Sequence, residues 1–346
     1  MKILITGASG FIGSFIVEEG LARGMKVWAG MRGSSSKKYL SDERIRFAEL
    51  NLENAEVLHQ QLEQYKAEFG GWDFIVHAAG ATKCKCKQDF FRTNYEGTKN
   101  LVEALQRLDM VPKKFIFISS LSVYGAIREV PVKDADKTSD PVYAPIIESD
   151  TPRPNTAYGQ SKLQAEKFLQ QFPDSFPYVI LRPTGVYGPR EKDYFLMAQS
   201  IKQHIDFAVG YKPQEITFVY VRDLVQAVYR SIDADVVRRA YFISDGKVYG
   251  SRDFSDLLQR ELGNPWVLHI KAPIWFLRLI CMVVGTVSTW LGKTSTLNTD
   301  KYHILSQRNW QCDVEPACKE LGYKPEYTLE RGVKESVAWY VKEGWL

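Results

Sequence analysis

A strand that runs straight into a glycine-rich turn at the N-terminus constrains this chain more than any other feature. Lys2-Ile-Leu-Ile-Thr6 reads as a buried strand, and Thr6-Gly-Ala-Ser-Gly-Phe-Ile-Gly13 follows it directly and opens a helix. Gly7, Gly10 and Gly13 in that setting permit a tight turn and let backbone amides approach an anion at the positive end of the helix. Apolar runs then alternate with helical patterns. Strands are predicted at Lys26–Met31, Ile45–Glu49, Phe74–His77, Lys114–Ser119 and Tyr178–Arg182, and helices over Phe11–Arg23, Ala55–Ala67, Asp89–Leu108 and Tyr158–Gln171. That order predicts an α/β fold, a doubly wound parallel sheet wrapped by helices on both faces.

The alternation places a Rossmann-type dinucleotide-binding domain over residues 1–184, with about 217–244 returning to it. Within the return, Val221–Val228 reads as a helix start with Asp223 near its cap, and Ala240–Ser244 as a strand rejoining the main sheet. Residues 185–216 and 245–346 form a smaller mixed α/β substrate-binding lobe, whose amphipathic tail, Leu329–Trp345, is expected to dock. The stretch from Gly125 to Thr156 is rich in Pro, Asp and Lys, long for a connection, and placed just before the helix of Tyr158; it reads as a loop covering substrate, with a solvated excursion as the alternative.

A chain of 346 residues that is 45% hydrophobic can bury a large core, and a net charge of only +4 with interspersed signs gives no basic stripe for nucleic acid. Five scattered cysteines predict free thiols in a reducing compartment. Cys84-Lys-Cys86 lacks zinc spacing, and no metal site is expected. With no charged leader before the first strand, a cytoplasmic location is expected. Pro273–Leu291 carries a single charge, Arg278, and approaches a membrane span in length; it reads as a buried helix pair or an interfacial patch touching a membrane surface.

Tyr158 and Lys162 in Tyr158-Gly-Gln-Ser-Lys162 share one helix face, so the ammonium can favour the phenolate and make the tyrosine an acid or base. Ser120 closes the fifth strand, at the carboxyl edge where parallel sheets bind ligands, and is preferred over Ser119 and Ser122 for polarising the same oxygen. Val27-Trp-Ala-Gly-Met-Arg-Gly-Ser-Ser-Ser36 has no acid to hold an adenosine ribose. Arg32 stands there instead, with Lys37 and Lys38 behind it, which favours a 2′-phosphate and hence NADP(H), with NAD(H) as the alternative.

Taken in order, the glycine turn, His77-Ala-Ala-Gly80, Asn94-Tyr-Glu-Gly-Thr98, Ser119-Ser-Leu-Ser-Val-Tyr-Gly125, Tyr158–Lys162 and Leu181-Arg-Pro-Thr-Gly-Val-Tyr-Gly-Pro189 resemble the extended short-chain dehydrogenases/reductases over nearly the whole chain. The resemblance implies that Tyr158 is the proton donor or acceptor, that Lys162 tunes it and holds the nicotinamide ribose, and that Ser120 orients the carbonyl. It further implies a cofactor path along Gly7, Ser9, Gly10, Phe11, Ile12 and Gly13, with Asn51 and Leu52 flanking the adenine. Ala78, Ala79, Gly80, Thr82, Asn94, Pro183 and Thr184 complete that path, while Ser122, Tyr124 and Tyr187 face the substrate.

Three departures bear on the substrate. Sugar-nucleotide members of this superfamily usually carry an asparagine where this chain has Gly185, and an Arg-Asp before the Phe-Val-Tyr-Val strand where it has Ile216-Thr217. The apolar run at 273–291, with Tyr241–Gly246 and Trp310–Asp313, looks like 3β-hydroxysteroid and sterol-type dehydrogenases. The reading is therefore an oxidoreductase interconverting a ketone and a secondary alcohol on a sterol-, flavonoid- or 3-oxo-lipid-like molecule, with a homodimer left open. The alternatives are a nucleotide-sugar epimerase or dehydratase with tightly bound NAD, and a sensor or scaffold that binds a dinucleotide without turnover.

Overall fold

The computed structural model describes residues 1–132, 142–290 and 299–346. In chain order the first part comprises β1 (Lys2–Thr6), α1 (Phe11–Ala22), β2 (Lys26–Met31), β3 (Arg46–Glu49), α2 (Ala55–Phe69), β4 (Phe74–His77), α3 (Lys87–Phe90), α4 (Gly97–Arg107), β5 (Lys114–Ile118), α5 (Ala157–Gln171) and β6 (Tyr178–Pro183). The second part comprises β7 (Gly185–Tyr187), α6 (Asp193–Lys202), β8 (Ile205–Val209), β9 (Phe218–Tyr220), α7 (Val221–Asp233), β10 (Arg239–Ile243), α8 (Asp253–Glu261), β11 (Leu268–Ala272), α9 (Ile274–Trp290), α10 (Thr299–Ser306), α11 (Glu315–Leu321) and α12 (Leu329–Lys342).

Seven parallel strands form one sheet in the order β10-β6-β5-β4-β1-β2-β3. The chain winds outward from β1 through β2 to β3, then crosses back to β4, so the order reverses between β1 and β4. A crevice opens outside the carboxyl ends of strands at such a reversal, and here the glycine turn and Ala78–Gly80 border it. Strand residues alternate between two cores, as a period of two requires. Ile3 and Ile5 pack with Phe15 and Val228 of α1 and α7, whereas Leu4 packs with Leu58 and Leu101 of α2 and α4.

The predicted Asp89–Leu108 helix is interrupted: α3 and α4 are joined by a π-helical turn at Phe91–Glu96, which bends the ladder around Asn94. Asp223 sits in the first turn of α7 but does not cap it. Its carboxylate instead accepts from the Glu326 and Tyr327 amides at 3.0 Å each, pinning the C-terminal segment, and burial pushes its pKa up to about 6.

β7 pairs with β9 and β11 with β8 in two small parallel ribbons. A third core of Tyr187, Phe218, Tyr220, Phe254 and Val333 joins β7 and β9 to α8 and α12, so the C-terminal helix docks. The predicted covering loop lies partly outside the described residues. On either side of 133–141 it packs down: Arg128 pairs with Asp150 at 2.6 Å, and the Ala144 carbonyl accepts from Asn309 Nδ2 at 2.9 Å.

Candidate active site

Helix α5 starts where the Ser120 turn ends, and the two touch through backbone. Thr156 caps α5, its hydroxyl accepting from the Gly159 amide at 3.0 Å. A Cβ on Gly159 would lie 2.4 Å from the Ser122 carbonyl oxygen, so only glycine permits this approach. It brings the Tyr158 phenol into hydrogen-bonding reach of the Ser120 side chain. Ser120 in turn caps the short 3₁₀ turn Leu121–Val123, accepting from the Ser122 amide at 3.1 Å and donating to Ser122 Oγ at 3.1 Å. Tyr158 is half-buried, with Phe90 edge-on at 6.3 Å between ring centroids.

Burial pushes the Tyr158 pKa up to about 12, the Ser120 hydrogen bond opposing, so the phenol holds its proton at neutral pH. Lys162 Nζ donates to the Ile118 carbonyl at 2.8 Å and stands 4.7 Å from the Phe117 ring centroid, and no hydrogen bond joins it to the Tyr158 phenol among the described residues. Burial lowers its pKa to about 8, against a partial rise from Glu166.

A buried cation with a lowered pKa sheds its proton in the folded chain before the unfolded one does. Between about pH 8 and 10.5 the unfolded state therefore binds more protons, and this group's contribution to stability rises with pH. Lys162→Met is expected to lack that rise. Thermal melts of the two proteins across the window should show the wild type gaining on the variant as pH increases, and parallel curves would contradict the assignment.

The crevice beside β1 fits a dinucleotide. Gly7 adopts φ +68°, and a Cβ there would lie 2.7 Å from Ala79 Cα; one on Gly13 would lie 2.2 Å from the Gly7 carbonyl oxygen. The turn is thus closed against β4 and α1, with Ser9, Gly10, Phe11 and Ile12 leading into the helix N-terminus, where phosphate groups are favoured. Thr184 Oγ1, just past β6, is buried and has no hydrogen-bond partner among the described residues, a hydroxyl left for a bound group. Arg32 follows β2 directly and is exposed, and no hydrogen bond or ion pair engages its guanidinium among the described residues.

Asn51 is exposed at the end of β3 with Leu52 packed beneath Gly97, and Ala78 to Gly80 line the turn opposite Gly7. Pro183 is buried at the end of β6, while Thr82 is exposed beyond the turn. Asn94 is satisfied entirely within the chain. Its Oδ1 accepts from the Ala81 amide at 2.8 Å, and Nδ2 donates to the Ala81 carbonyl at 3.1 Å and Ser161 Oγ at 2.9 Å. It therefore clamps the 80–81 turn to α5, and a Cβ on Gly80 would sit 3.1 Å from Lys162 Nζ.

Two residues expected to face substrate do not. Tyr124 is buried against Phe242, its hydroxyl held by the Glu148 carbonyl and Arg182, because the 3₁₀ turn swings it behind the strand ends. Tyr187 is buried in the lobe core, and its hydroxyl donates to the Thr328 carbonyl at 3.4 Å. Ser122 stays half-buried beside Ser120.

Sequence reasoning passed over three contributors. Glu166, one turn beyond Lys162, is fully buried and accepts from Arg182 at 2.7 and 3.1 Å and from the Ser119 hydroxyl. The i, i+4 spacing from Lys162 was the available signal. His77 bridges Thr6 at 2.8 Å and Thr98 at 3.0 Å; burial and the nearby Lys162 charge push its pKa down to about 3, so it stays neutral. Glu49 of β3 reaches the loop after β2, its Oε1 2.8 Å from where a Gly33 Cβ would stand, so an acid enters that region from the neighbouring strand. Among the described residues, no cluster of three or more His, Cys, Asp or Glu converges to hold a metal.

Comparison with known proteins agrees with this arrangement. The family model for the NAD dependent epimerase/dehydratase family matches residues 3–244. A UDP-glucose 4-epimerase of Vibrio cholerae is 27% identical over 348 residues, covering 97% of this chain and 94% of the relative. A 3 beta-hydroxysteroid dehydrogenase/Delta 5-->4-isomerase of Mycobacterium tuberculosis is 24% identical over 358 residues, covering 98% and 90%. Among solved structures, the UDP-glucose 4-epimerase of Thermotoga maritima with UDP-glucose shares the fold at a TM-score of 0.75 and 22% identity, over 99% of each chain. WbmG of Bordetella bronchiseptica in complex with NAD and UDP does so at 0.74 and 19%, over 99% of this chain and 95% of that one. The chain belongs to the NAD dependent epimerase/dehydratase family and is an NAD-dependent enzyme of the extended short-chain dehydrogenase/reductase class.

Proposed function

We propose that this enzyme interconverts a ketone and a secondary alcohol on a largely apolar substrate, with NADP(H) preferred. The observation that carries the reading is at position 185. A Cβ there would lie 2.5 Å from the Tyr194 hydroxyl, so the space in which sugar-nucleotide members are expected to place an asparagine is filled by the half-buried phenol of Tyr194. Thr217 points the same way: it is buried, and its hydroxyl donates to the Trp310 carbonyl at 2.6 Å, leaving nothing at that position to clamp a diphosphate.

Bound in the crevice, the dinucleotide supplies or accepts hydride at the substrate carbon. The chain's residues handle the oxygen. Tyr158 carries the proton on its phenolic oxygen, Ser120 holds the substrate oxygen against it, and the Lys162 ammonium stabilises charge as it develops. The preference for NADP(H) rests on Arg32, with Lys37 and Lys38 following. Lys37 Nζ stands 4.0 Å from the Phe47 ring centroid, at the edge of the same strand as Glu49.

Arg308 favours the sugar-nucleotide reading. It is buried, and among the described residues its Nη2 has no hydrogen-bond partner, which leaves a guanidinium edge for an anionic group.

One assay separates the two. Net consumption of NADPH with a sterol or long-chain 3-oxo substrate is expected, with Arg32→Ala raising KM for NADPH about tenfold and sparing that for NADH. Turnover of a UDP- or dTDP-sugar without added cofactor, and none of the ketone, would overturn the reading.

A further inference from the structure

The β8–β11 ribbon has two unlike faces. On one, Asp206 is buried and pairs with His269 at 3.0 Å and Arg252 at 3.4 Å, which offsets its charge against the lobe. On the other, the register partners Phe207 and Ile270 turn outward. Phe207 is 61% exposed, and Leu268, on the same side of β11 as Ile270, is 51% exposed.

The chain passes from β11 into α9 with only Pro273 between them. Leu277 and Cys281, one turn apart, are buried and seat the helix, while Trp275 is 69% exposed and Phe276 and Leu279 stand out beside it. Trp266, at the entry to β11, is 73% exposed. Scattered single apolar residues on a surface need no explanation. Two indoles, a phenylalanine and three aliphatic side chains along one strand-helix unit are a patch that soluble monomers rarely leave bare.

Charge identifies what covers it. No Asp or Glu occurs from Leu262 to Thr299, whereas Lys271 and Arg278 are exposed within the unit. A two-fold contact through this patch would set an acid-free, cationic surface against a copy of itself, with no carboxylate of the patch to neutralise it. A bilayer with anionic headgroups accepts the cations, and its interfacial layer accepts indole rings. Among the described residues no helix is long and apolar enough to cross a membrane.

We propose that the strand-helix unit from Trp266 to Leu279 docks the enzyme on an anionic lipid surface, lying in the interface rather than spanning it. The docked face is linked to the catalytic helix. α9 packs on α10, whose Asp300 Oδ2 accepts from the Ala157 amide at 2.9 Å, one residue before Tyr158. The proposal does not depend on which substrate is turned over.

Co-sedimentation of the full chain with phosphatidylcholine vesicles, and with vesicles that also contain phosphatidylglycerol, tests it. Stronger binding to the anionic vesicles, weakened by salt, is expected. Trp275→Glu/Phe276→Glu and, separately, Lys271→Glu/Arg278→Glu should each reduce binding at least about tenfold with thermal melts unchanged, because the substituted side chains are solvent-facing. No binding by the wild type, equal binding to both compositions, or variants that sediment like the wild type would overturn the proposal. So would light scattering that shows a wild-type dimer which Trp275→Glu/Phe276→Glu converts to monomer, since that assigns the face to a second copy.

Discussion

Tyr158→Phe is expected to lower kcat by about 10²–10⁴-fold while leaving dinucleotide affinity nearly unchanged. The substitution removes one oxygen and keeps the ring, so the edge-on contact with Phe90 survives and the start of α5 stays capped by Thr156. What disappears is the proton carried at a phenol within hydrogen-bonding reach of Ser120. Burial holds that proton up to about pH 12 in the free enzyme, which suits donation to a carbonyl at neutral pH. Removal of a proton from an alcohol requires the phenolate, so the oxidative direction should accelerate with pH through the neutral range in the wild type. The checks are single-turnover rates, cofactor titration by fluorescence, and pH profiles in both directions. A Phe variant that turns over like the wild type would remove the tyrosine from the chemistry.

Glu166→Ala is expected to cost about 3–5 kcal/mol of folding stability, because it strands the buried Arg182 guanidinium. Glu166 is fully buried and Arg182 nearly so, and two of the Arg182 nitrogens bond to the Glu166 carboxylate. Against a total stability of about 5–15 kcal/mol, a loss of that size should appear as a melting temperature lower by on the order of 10 °C. The pair also ties α5 to β6, while Ser119 ties the same carboxylate to β5. Pairing Glu166→Leu with Arg182→Leu should recover most of the loss, since apolar residues of similar volume remove both desolvation penalties. Equal melting of the wild type and Glu166→Ala would show the pair to be energetically idle.

The alternation of short apolar runs with helical patterns was enough to place the strands of the main sheet, because residues buried on both faces leave a continuous apolar signature. The bounds shifted by one residue at four strands: β3 starts at Arg46 instead of Ile45, β5 ends at Ile118 instead of Ser119, β6 ends at Pro183 instead of Arg182, and β10 spans Arg239–Ile243 instead of Ala240–Ser244. The interruption of the helix at Phe91–Glu96 had no local mark, since a π turn is accommodated by what it packs against, here the Asn94 amide serving the 80–81 turn. The serine, tyrosine and lysine were legible from spacing and from their positions at strand end and helix start. Their electrostatics were not. Lys162 bonds to Ile118 rather than to the phenol, an orientation set by a carbonyl forty-four residues away in sequence.

Tyr124 and Tyr187 show where linear reading stops. Each lies within a motif that resembles the cofactor and substrate edge of the family, yet both are buried, one behind the strand ends and one in the lobe core. The acid beside the loop after β2 was invisible for the same reason: Glu49 belongs to the next strand, and only parallel pairing of β2 with β3 brings it there.

The sequence by itself determined the sheet, the glycine turn and the candidate set of Ser120, Tyr158 and Lys162, because periodicity and short-range spacing act through bonds a few residues apart. Tertiary structure alone decided which tyrosine hydroxyls are free, where the lysine points, that a phenol fills the space beside Gly185, and that Trp266, Trp275 and Phe207 face outward. Burial and partner choice depend on elements distant in the chain, and they set both the proton affinities and the surface that this enzyme offers.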